Sequence, residues 1–210
     1  MIVAIDGPAG AGKSTVARRL AERLGFRYLD TGAMYRALTW LAMNRGIALD
    51  RADDLARLAM EYPVTFDNQG RVWIAGTDVT ASIRQARIDR QVPVVARHPP
   101  VREVMRERQR QLGAEGDVVI EGRDIGTVVA PNAEVKVYLN ADVSVRARRR
   151  QEERPDIGGD ALATDLRLRD ESDAARMRPA AGAEQIDTTA LQVDDVVDQI
   201  ERLVRERQPA

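Results

Sequence analysis

The stretch that decides the fold is GPAGAGKS, Gly7 to Ser14, which matches the phosphate-loop pattern G-x-x-x-x-G-K-[ST] at every position. The pattern is specific only where a strand leads into it and a helix leaves it. The apolar run Met1–Ile5 predicts a strand buried on both faces. Lys13–Leu24 has apolar residues at the spacing of one helix face, and Gly25 is a suitable left-handed stop. Both flanks therefore favour a phosphate-binding loop over a glycine-rich turn without a ligand.

Each residue type in this loop has a physical role in binding phosphate. Glycines let backbone N–H groups face an anion without an intervening side chain, and the helix N-terminus adds a favourable dipole. Lys13 is expected to reach the outer phosphates, and the Ser14 hydroxyl is expected to bind Mg²⁺.

Composition excludes several function classes. The 210 residues fit one domain, and 32 basic residues nearly balance 33 acidic ones, so no overall field attracts nucleic acid or a membrane. The absence of cysteine excludes disulfides and thiol catalysis, and a single histidine, His98, cannot build a histidine metal centre. No apolar run approaches membrane length and the first strand leaves no room for a signal peptide, so we expect a cytoplasmic protein. Only Lys13 and Lys136 are lysines, so a lone arginine proves little here.

Strand-like and helical segments alternate along the chain, which predicts an α/β fold with a central parallel five-stranded sheet flanked by helices in three layers. The segment TGAMYRALTWLAMNRG predicts a helix that is capped by Thr31 and stopped at Gly46. The segment around residues 62–80 alternates in polarity and turns at Asn68–Gly70, so it predicts a small antiparallel β insertion. The second strand is expected at FRYLD and further strands at DVVIE, EVKVYLN and EQIDTT. Further helices are expected at DRADDLARLAMEY, Pro99–Gly113, DVSVRARRRQEER, LATDLRLRDESDAARMR and VDDVVDQIERLVRER.

Polar residues follow two of these strands, where ligands bind in parallel sheets. Asp30-Thr31-Gly32 follows the second strand, with Arg36 one turn further on, and Glu121-Gly122-Arg123-Asp124 follows DVVIE. Each also has an ordinary interpretation: Thr31 as a helix cap, Arg36 as a surface residue, and Arg123 with Asp124 as a solvated ion pair.

Taken together, GPAGAGKS, LDTGAMYR, VREVMRERQ, EGRDIGTVV and RDESDAAR resemble the landmarks of the bacterial cytidylate kinase family, in order and at about its spacing. The resemblance covers nearly the whole chain, and DTGAMYR and GRDIGTVV are far more specific than the phosphate loop. It implies transfer of the γ-phosphoryl group of ATP to CMP or dCMP. It also implies one P-loop kinase unit over residues 1–210, a monomer, with an NMP-binding region at 30–100 and a helical lid at 146–178.

The resemblance also assigns residues to roles. It implies that Lys13, Arg123 and Arg176 are catalytic, and that Ser14, with Glu121 through water, holds Mg²⁺. The implied CMP-binding residues are Thr31, Arg36, Arg102, Arg123, Asp124, Arg169, Asp173 and Arg176. The implied ATP-binding residues are Gly7, Pro8, Ala9, Gly10, Ala11, Gly12, Lys13, Ser14 and Thr15. A carboxylate accepts from the cytosine amino group but meets a carbonyl in uracil, so Asp124 gives cytosine selectivity a physical cause.

The sequence leaves open the role of one arginine face, the effect of several departures from the family pattern, and two rival functions. Arg146, Arg149 and Arg150 share one helix face, either as lid residues that close over ATP or as a solvated arginine face. Pro93 stands where the family commonly has a base-contacting serine, Glu121 replaces the usual aspartate, and the lid stretch looks a few residues short. The rival functions are a hydroxyl-directed kinase of the shikimate type, with Asp30 or Asp124 as base, and a nucleotide switch using the D-x-x-G at Asp67.

Overall fold

The computed structural model describes residues 1–67, 69–153, 159–174 and 176–208, without the side chains of Asp160, Ala161, Asp165, Arg169 and Ser172. The chain divides into two compact units. Unit 1 comprises Met1–Leu29 and Gly113–Ala210, and unit 2 comprises Asp30–Leu112.

Except for α4, the strands and helices occur in the order that the sequence predicts. The strands are β1 (Ile2–Asp6), β2 (Arg27–Asp30), β3 (Thr65–Phe66), β4 (Val72–Ile74), β5 (Thr77–Asp78), β6 (Val118–Gly122), β7 (Val135–Asn140) and β8 (Glu184–Asp187). The helices are α1 (Lys13–Leu24), α2 (Thr31–Asn44), α3 (Ala52–Glu61), α4 (Ala86–Ala96), α5 (Pro99–Gly113), α6 (Val143–Glu153), α7 (Gly159–Asp173) and α8 (Val193–Arg207).

The central sheet has five strands in the order β2-β6-β1-β7-β8, so the strand that leads into the phosphate loop lies at its centre. β1 pairs in parallel with β6 and with β7, and β7 pairs in parallel with β8. Val3, Ala4 and Ile5 are fully buried, as expected for a strand covered on both faces. The predicted fold class is confirmed, and the carboxyl ends of β1, β6 and β7 meet at one edge of the sheet.

Helices α1 and α8 pack together over this sheet and close the core of unit 1. Val16, Leu20, Val197 and Ile200 join the sheet residues in one buried cluster. Helix α1 ends where the sequence predicts, because Gly25 adopts the left-handed conformation (φ 68°) and returns its N–H to the last turn. The start of α1, which carries Lys13 and Ser14, is therefore fixed by the core beneath it.

In unit 2, α2 packs against α3, α4 and β4. The β insertion is a three-stranded antiparallel sheet in the order β3-β4-β5. The predicted turn includes Asn68, which lies outside the described residues, and Gly70, whose φ is 72°.

Of the two predictions for the ends of α2, one is wrong and one is confirmed. Thr31 does not cap α2: the cap is Asp30, whose carboxylate accepts from the N–H of Ala33 at 2.8 Å because the extended backbone of Asp30 turns its side chain back over the helix start. The stop at Gly46 is confirmed: the last helical residue is Asn44, Gly46 adopts the left-handed conformation (φ 65°), and the N–H groups of Gly46 and Ile47 donate to the carbonyl oxygens of Met43 and Ala42 at 3.2 and 2.9 Å. Among the described residues no helix is long and apolar enough to cross a membrane.

Candidate active site

The phosphate loop requires glycine at Gly7 for steric reasons. Its φ is 148°, and a Cβ added there would lie 2.1 Å from the backbone oxygen of Leu139. Gly12, the cap of α1, has a φ of 87°, and the nearest atom to an added Cβ is 3.8 Å away. Position 7 thus requires glycine because β7 leaves no space for a side chain. Position 12 requires glycine only because of its positive φ.

Lys13 lies buried at the start of α1, with its Nζ donating to the carbonyl oxygen of Pro8 at 2.7 Å. Burial, together with the nearby charge of Arg123, lowers the pKa of Lys13 to about 7, against the opposing effect of Glu121, Asp6 and Asp173. The ammonium is therefore held folded back on the loop, at a position where an added anion would stabilise its charge.

Ser14 and Glu121 meet beside the loop. The Ser14 hydroxyl donates to Oε2 of Glu121 at 3.0 Å, and the Tyr28 hydroxyl donates to the other carboxylate oxygen. Glu121 is 4% exposed and comes from β6, while Ser14 comes from α1. The two predicted metal-site residues are thus brought together, and Tyr28, which belongs to none of the motifs, orients the carboxylate.

Arg123 links the loop to a second group of site residues. One terminal nitrogen donates to the carbonyl oxygen of Gly7 at 2.6 Å, and Nε lies 3.2 Å from Oδ2 of Asp173. Asp173 in turn accepts from Arg176 at 2.7 Å through its other oxygen. Unit 1 therefore brings Lys13, Arg123, Asp173 and Arg176 into one charged cluster.

Asp124 begins a short π-helical turn at Ile125–Val129 that the sequence did not predict. Its side chain is 9% exposed and makes no hydrogen bond to the N–H groups of this turn. Those of Ile125 and Gly126 instead donate to the two carboxylate oxygens of Asp6, each at 2.8 Å. Asp6 is a site-supporting residue that the sequence analysis missed, since it looks like the ordinary end of a strand.

A cleft of about 640 Å³ opens beside the loop in unit 1. It is lined by loop and α1 residues including Gly10, Gly12 and Thr15, by α6, and by the segment after β8 from Thr188 to Val193. Arg149 is one of the lining residues, and its guanidinium donates to the hydroxyl of Thr188 at 2.9 Å and to the backbone oxygen of Thr188 at 2.7 Å. The cleft is large enough for a nucleoside and adjoins the predicted phosphate site.

The three arginines on one face of α6 have different environments. Arg146 is 4% exposed and donates to the carbonyl oxygens of Ala9 and Ala141 and, through both terminal nitrogens, to Asp170. Arg150 pairs with Glu153 at 2.7 Å near the surface. Arg146 thus supports the loop from below, which neither the lid interpretation nor the solvated-face interpretation describes.

In unit 2, the predicted acceptor residues Thr31 and Arg36 lie in the first turns of α2. The Arg36 Nε donates to Asp89 at 3.0 Å, and its guanidinium lies so close to Gly32 that an added Cβ would be 2.8 Å from it. Asp30 accepts from Arg84 at 2.9 Å and from Ala33. Burial alone would raise the pKa of Asp30, but Arg36 and Arg84 hold it lowered.

The other residues singled out from the sequence are placed as follows. Thr31 is the first residue of α2 and is buried, and Arg102 lies on α5, where it donates to the backbone oxygen of Ala96 at 3.4 Å. Pro93 lies inside α4. The side chain of Arg169, together with residues 155–158 of the predicted PDIGG break, lies outside the described residues.

Asp67, which the nucleotide switch would use, and Asp30, one of the two candidate bases of a shikimate-type kinase, have local structural roles. The carboxylate of Asp67 in the D-x-x-G segment accepts from the backbone N–H groups of Gln69 and Arg71 and from Trp73, so it holds the hairpin together. Asp30 caps α2 and pairs with Arg84. Both acids therefore serve local structure within unit 2.

Comparison with known proteins identifies relatives over the whole chain. A family model described as cytidylate kinase matches residues 3–206. The cytidylate kinase of Bacillus subtilis is 46% identical over 98% of this chain and 96% of its own length, and that of Bacillus licheniformis is 44% identical over 97% and 96%. A bifunctional pantoate ligase/cytidylate kinase from Synechococcus is 47% identical over 98% of this chain, which spans 41% of that protein.

Solved structures agree on the fold. A gluconokinase from Sinorhizobium meliloti has a TM-score of 0.53 at 16% identity, over 98% of this chain and 92% of its own. A protein from Eubacterium ventriosum has a TM-score of 0.58 at 14% identity, over 99% of both chains. At these identities the likeness concerns the fold alone.

Proposed function

The chain belongs to the cytidylate kinase family, and from this premise we propose that it transfers the γ-phosphoryl group of ATP to CMP or dCMP, giving ADP and CDP or dCDP. The family-model match over residues 3–206 confirms the resemblance to this family that DTGAMYR and GRDIGTVV indicate. The chain spans about two fifths of the bifunctional relatives and nearly all of the Bacillus enzymes, and the proposal concerns the segment they share.

One observation carries the proposal: Arg123 contacts both the phosphate loop and the predicted acceptor residues. Its terminal nitrogen is 2.6 Å from the Gly7 oxygen and its Nε is 3.2 Å from Asp173. A guanidinium in this position can donate at once to a phosphate held by the loop and to a phosphate held beside Asp173. That is the position at which the transferring group passes from donor to acceptor.

The proposed mechanism is electrostatic. An acceptor phosphate oxygen is already anionic at neutral pH, so no general base is required, and the barrier lies in bringing two polyanions together. Lys13, Arg123 and Arg176 supply cations that replace the water lost from the phosphates. Arg146 has a different task, since its hydrogen bond to Ala9 fixes the loop that holds the donor.

The residues around Ser14 fit a magnesium ion. A hydroxyl and a carboxylate 3.0 Å apart are hard oxygen donors of the kind that Mg²⁺ prefers, and Glu121 is oriented by Tyr28. When bound with ATP, the ion would neutralise charge on the β- and γ-phosphates. We expect Ser14 to hold it directly and Glu121 to hold it through water.

Recognition of the nucleotides follows from the remaining residues. We expect the cytosine amino group to donate to Asp124 and the ring acceptors to receive from Arg102. The ribose is expected to contact Asp173 and Arg169, and the CMP phosphate is expected to contact Arg36, Arg123 and Arg176, with Thr31 donating from the start of α2. The cleft lined by Thr15, Arg149 and Thr188 has the size and position for the adenosine part of ATP.

The experiment that tests this role for Arg123 is the conservative variant Arg123→Lys. A lysine keeps one charge but lacks the forked donors, so we expect kcat to fall at least about a hundredfold while the KM for ATP changes little. The matched control is Arg27→Lys, at an arginine whose side chain is 43% exposed and pairs with Glu115 on the surface. Equal kcat values in the two variants would contradict the role assigned to Arg123.

A further inference from the structure

Asp6 is the last residue of β1 and directly precedes the phosphate loop. It is 4% exposed, and each carboxylate oxygen accepts one backbone N–H from the turn after Asp124, Oδ1 from Ile125 and Oδ2 from Gly126, both at 2.8 Å. The strand register places Asp6 beside Gly122, so the two bonds connect neighbouring strand ends.

These bonds act on the segment that carries the proposed base contact. Asp124 does not cap its own turn, and the first two N–H groups of the turn are held from β1 instead. The turn begins with a bent backbone at Asp124, with φ of −140° and ψ of 31°. The two bonds to Asp6 anchor the turn directly after Asp124, in addition to the turn's own backbone bond from Val128 to the carbonyl oxygen of Asp124 at 2.9 Å.

A carboxylate is required here for geometric reasons. Only an ionised carboxylate offers two acceptor oxygens, whereas an asparagine would turn its NH₂ group toward one of the two N–H groups. Burial raises the pKa of Asp6, and the nearby charge of Asp124 raises it further. The hydrogen bonds from the two N–H groups oppose this rise. A residue with only a packing role would not need a buried charge beside a second acid.

We propose that Asp6 is a positioning residue for acceptor-base selectivity, which aims Asp124 by holding both N–H groups of the following turn. The inference rests on the proposed function. It concerns selection between CMP and UMP, and it leaves the donor phosphates to Lys13 and the loop.

The test compares three variants with the wild type in steady-state phosphorylation of CMP and UMP and in calorimetric titration with CMP. Asp6→Asn removes one of the two acceptors. Gly126→Ala displaces the same turn with Asp6 intact, because the added Cβ would lie 3.1 Å from the Cβ of Ala180 and 3.4 Å from Oδ2 of Asp6. Asp67→Asn is the control, since that carboxylate also accepts from two backbone N–H groups but lies in the hairpin.

We expect Asp6→Asn to raise the KM and Kd for CMP about tenfold, the scale of one charge-assisted hydrogen bond, and to lower the CMP to UMP ratio of kcat/KM accordingly. The KM for ATP should stay within about twofold, since the loop lysine is unchanged. Gly126→Ala should shift the ratio in the same direction, and Asp67→Asn should leave it unchanged.

Unchanged CMP to UMP ratios in both Asp6→Asn and Gly126→Ala, with only a lower melting temperature, would overturn the inference and leave Asp6 with a structural role. If Asp6→Asn does not fold, Gly126→Ala decides the question alone by the same ratio. If the wild type turns over CMP, the proposed function stands and the variants test the Asp6 inference alone. If the wild type does not turn over CMP, both the proposed function and the inference are overturned.

Discussion

The pKa of Lys13 leads to a quantitative prediction about ATP binding. Burial and the charge of Arg123 lower this pKa to about 7, so at pH 8 only about one tenth of the unliganded enzyme carries the ammonium. ATP places several negative charges next to Nζ and raises the pKa again. Binding at pH 8 is therefore expected to take up about 0.9 proton at Lys13, and binding at pH 6 about 0.1.

The same shift makes ATP affinity depend on pH. The neutral amine must gain a proton before it pairs with phosphate, so affinity falls as pH rises above 7. Between pH 7 and pH 9 the dissociation constant should rise roughly fiftyfold, approaching tenfold per pH unit. The measurement is calorimetric titration with MgATP at each pH in two buffers of different ionisation enthalpy, which reports the number of protons exchanged.

The matched control is Lys13→Arg, because a guanidinium keeps the positive charge and stays protonated throughout this range. The difference in proton uptake between wild type and this variant removes the contributions of ATP itself and of every other group. We expect it to lose the proton uptake at pH 8. Equal proton uptake in Lys13→Arg and wild type would refute the assignment of a lowered pKa to Lys13.

Three further outcomes follow from contacts in unit 1. Gly12→Ala should lose about 1–2 kcal/mol for a left-handed residue, whereas Gly7→Ala should lose more than about 3 kcal/mol because its Cβ meets the Leu139 oxygen at 2.1 Å. Denaturant unfolding of both proteins checks this, and equal losses would contradict it. Arg146→Ala should lose about 2 kcal/mol or more in the same assay, since it leaves Asp170 without its forked partner; a neutral result would remove Arg146 from the support of the loop. Asp124→Ala should reduce the preference for CMP over UMP at least tenfold with little effect on the KM for ATP, and equal losses with both acceptors would contradict base reading.

Local signals predicted the parts of the fold that local physics decides. Helix α1 matches Lys13–Leu24 because apolar spacing and a left-handed Gly25 mark its face and its end. Asp30 and Thr31 are both good cap residues, and only the backbone angle at Asp30 decides between them. Helix α4 was not predicted, because it contains Pro93, which breaks a helical pattern in sequence although neighbouring contacts keep it helical here.

The candidate site follows the same division. The family resemblance assigned roles to Ser14, Glu121, Arg123 and Asp173, since each lies in a recognisable motif. The structure places Ser14 against Glu121 and Arg123 against Asp173, and their roles stay predictions. Asp6 and Tyr28 were missed because their roles depend on partners 119 and 93 residues away in the chain. Arg146 was left open for the same reason, as its partner Asp170 lies on another helix.

The central claim is tested most directly by a coupled ADP-release assay with MgATP and, in parallel, CMP, dCMP, UMP, AMP and shikimate as acceptors. We predict strong turnover on CMP and dCMP and little on UMP, AMP and shikimate, because Asp124 accepts from the cytosine amino group and Arg123 bridges the loop and the acceptor residues. Turnover on shikimate with none on any nucleoside monophosphate would contradict the claim.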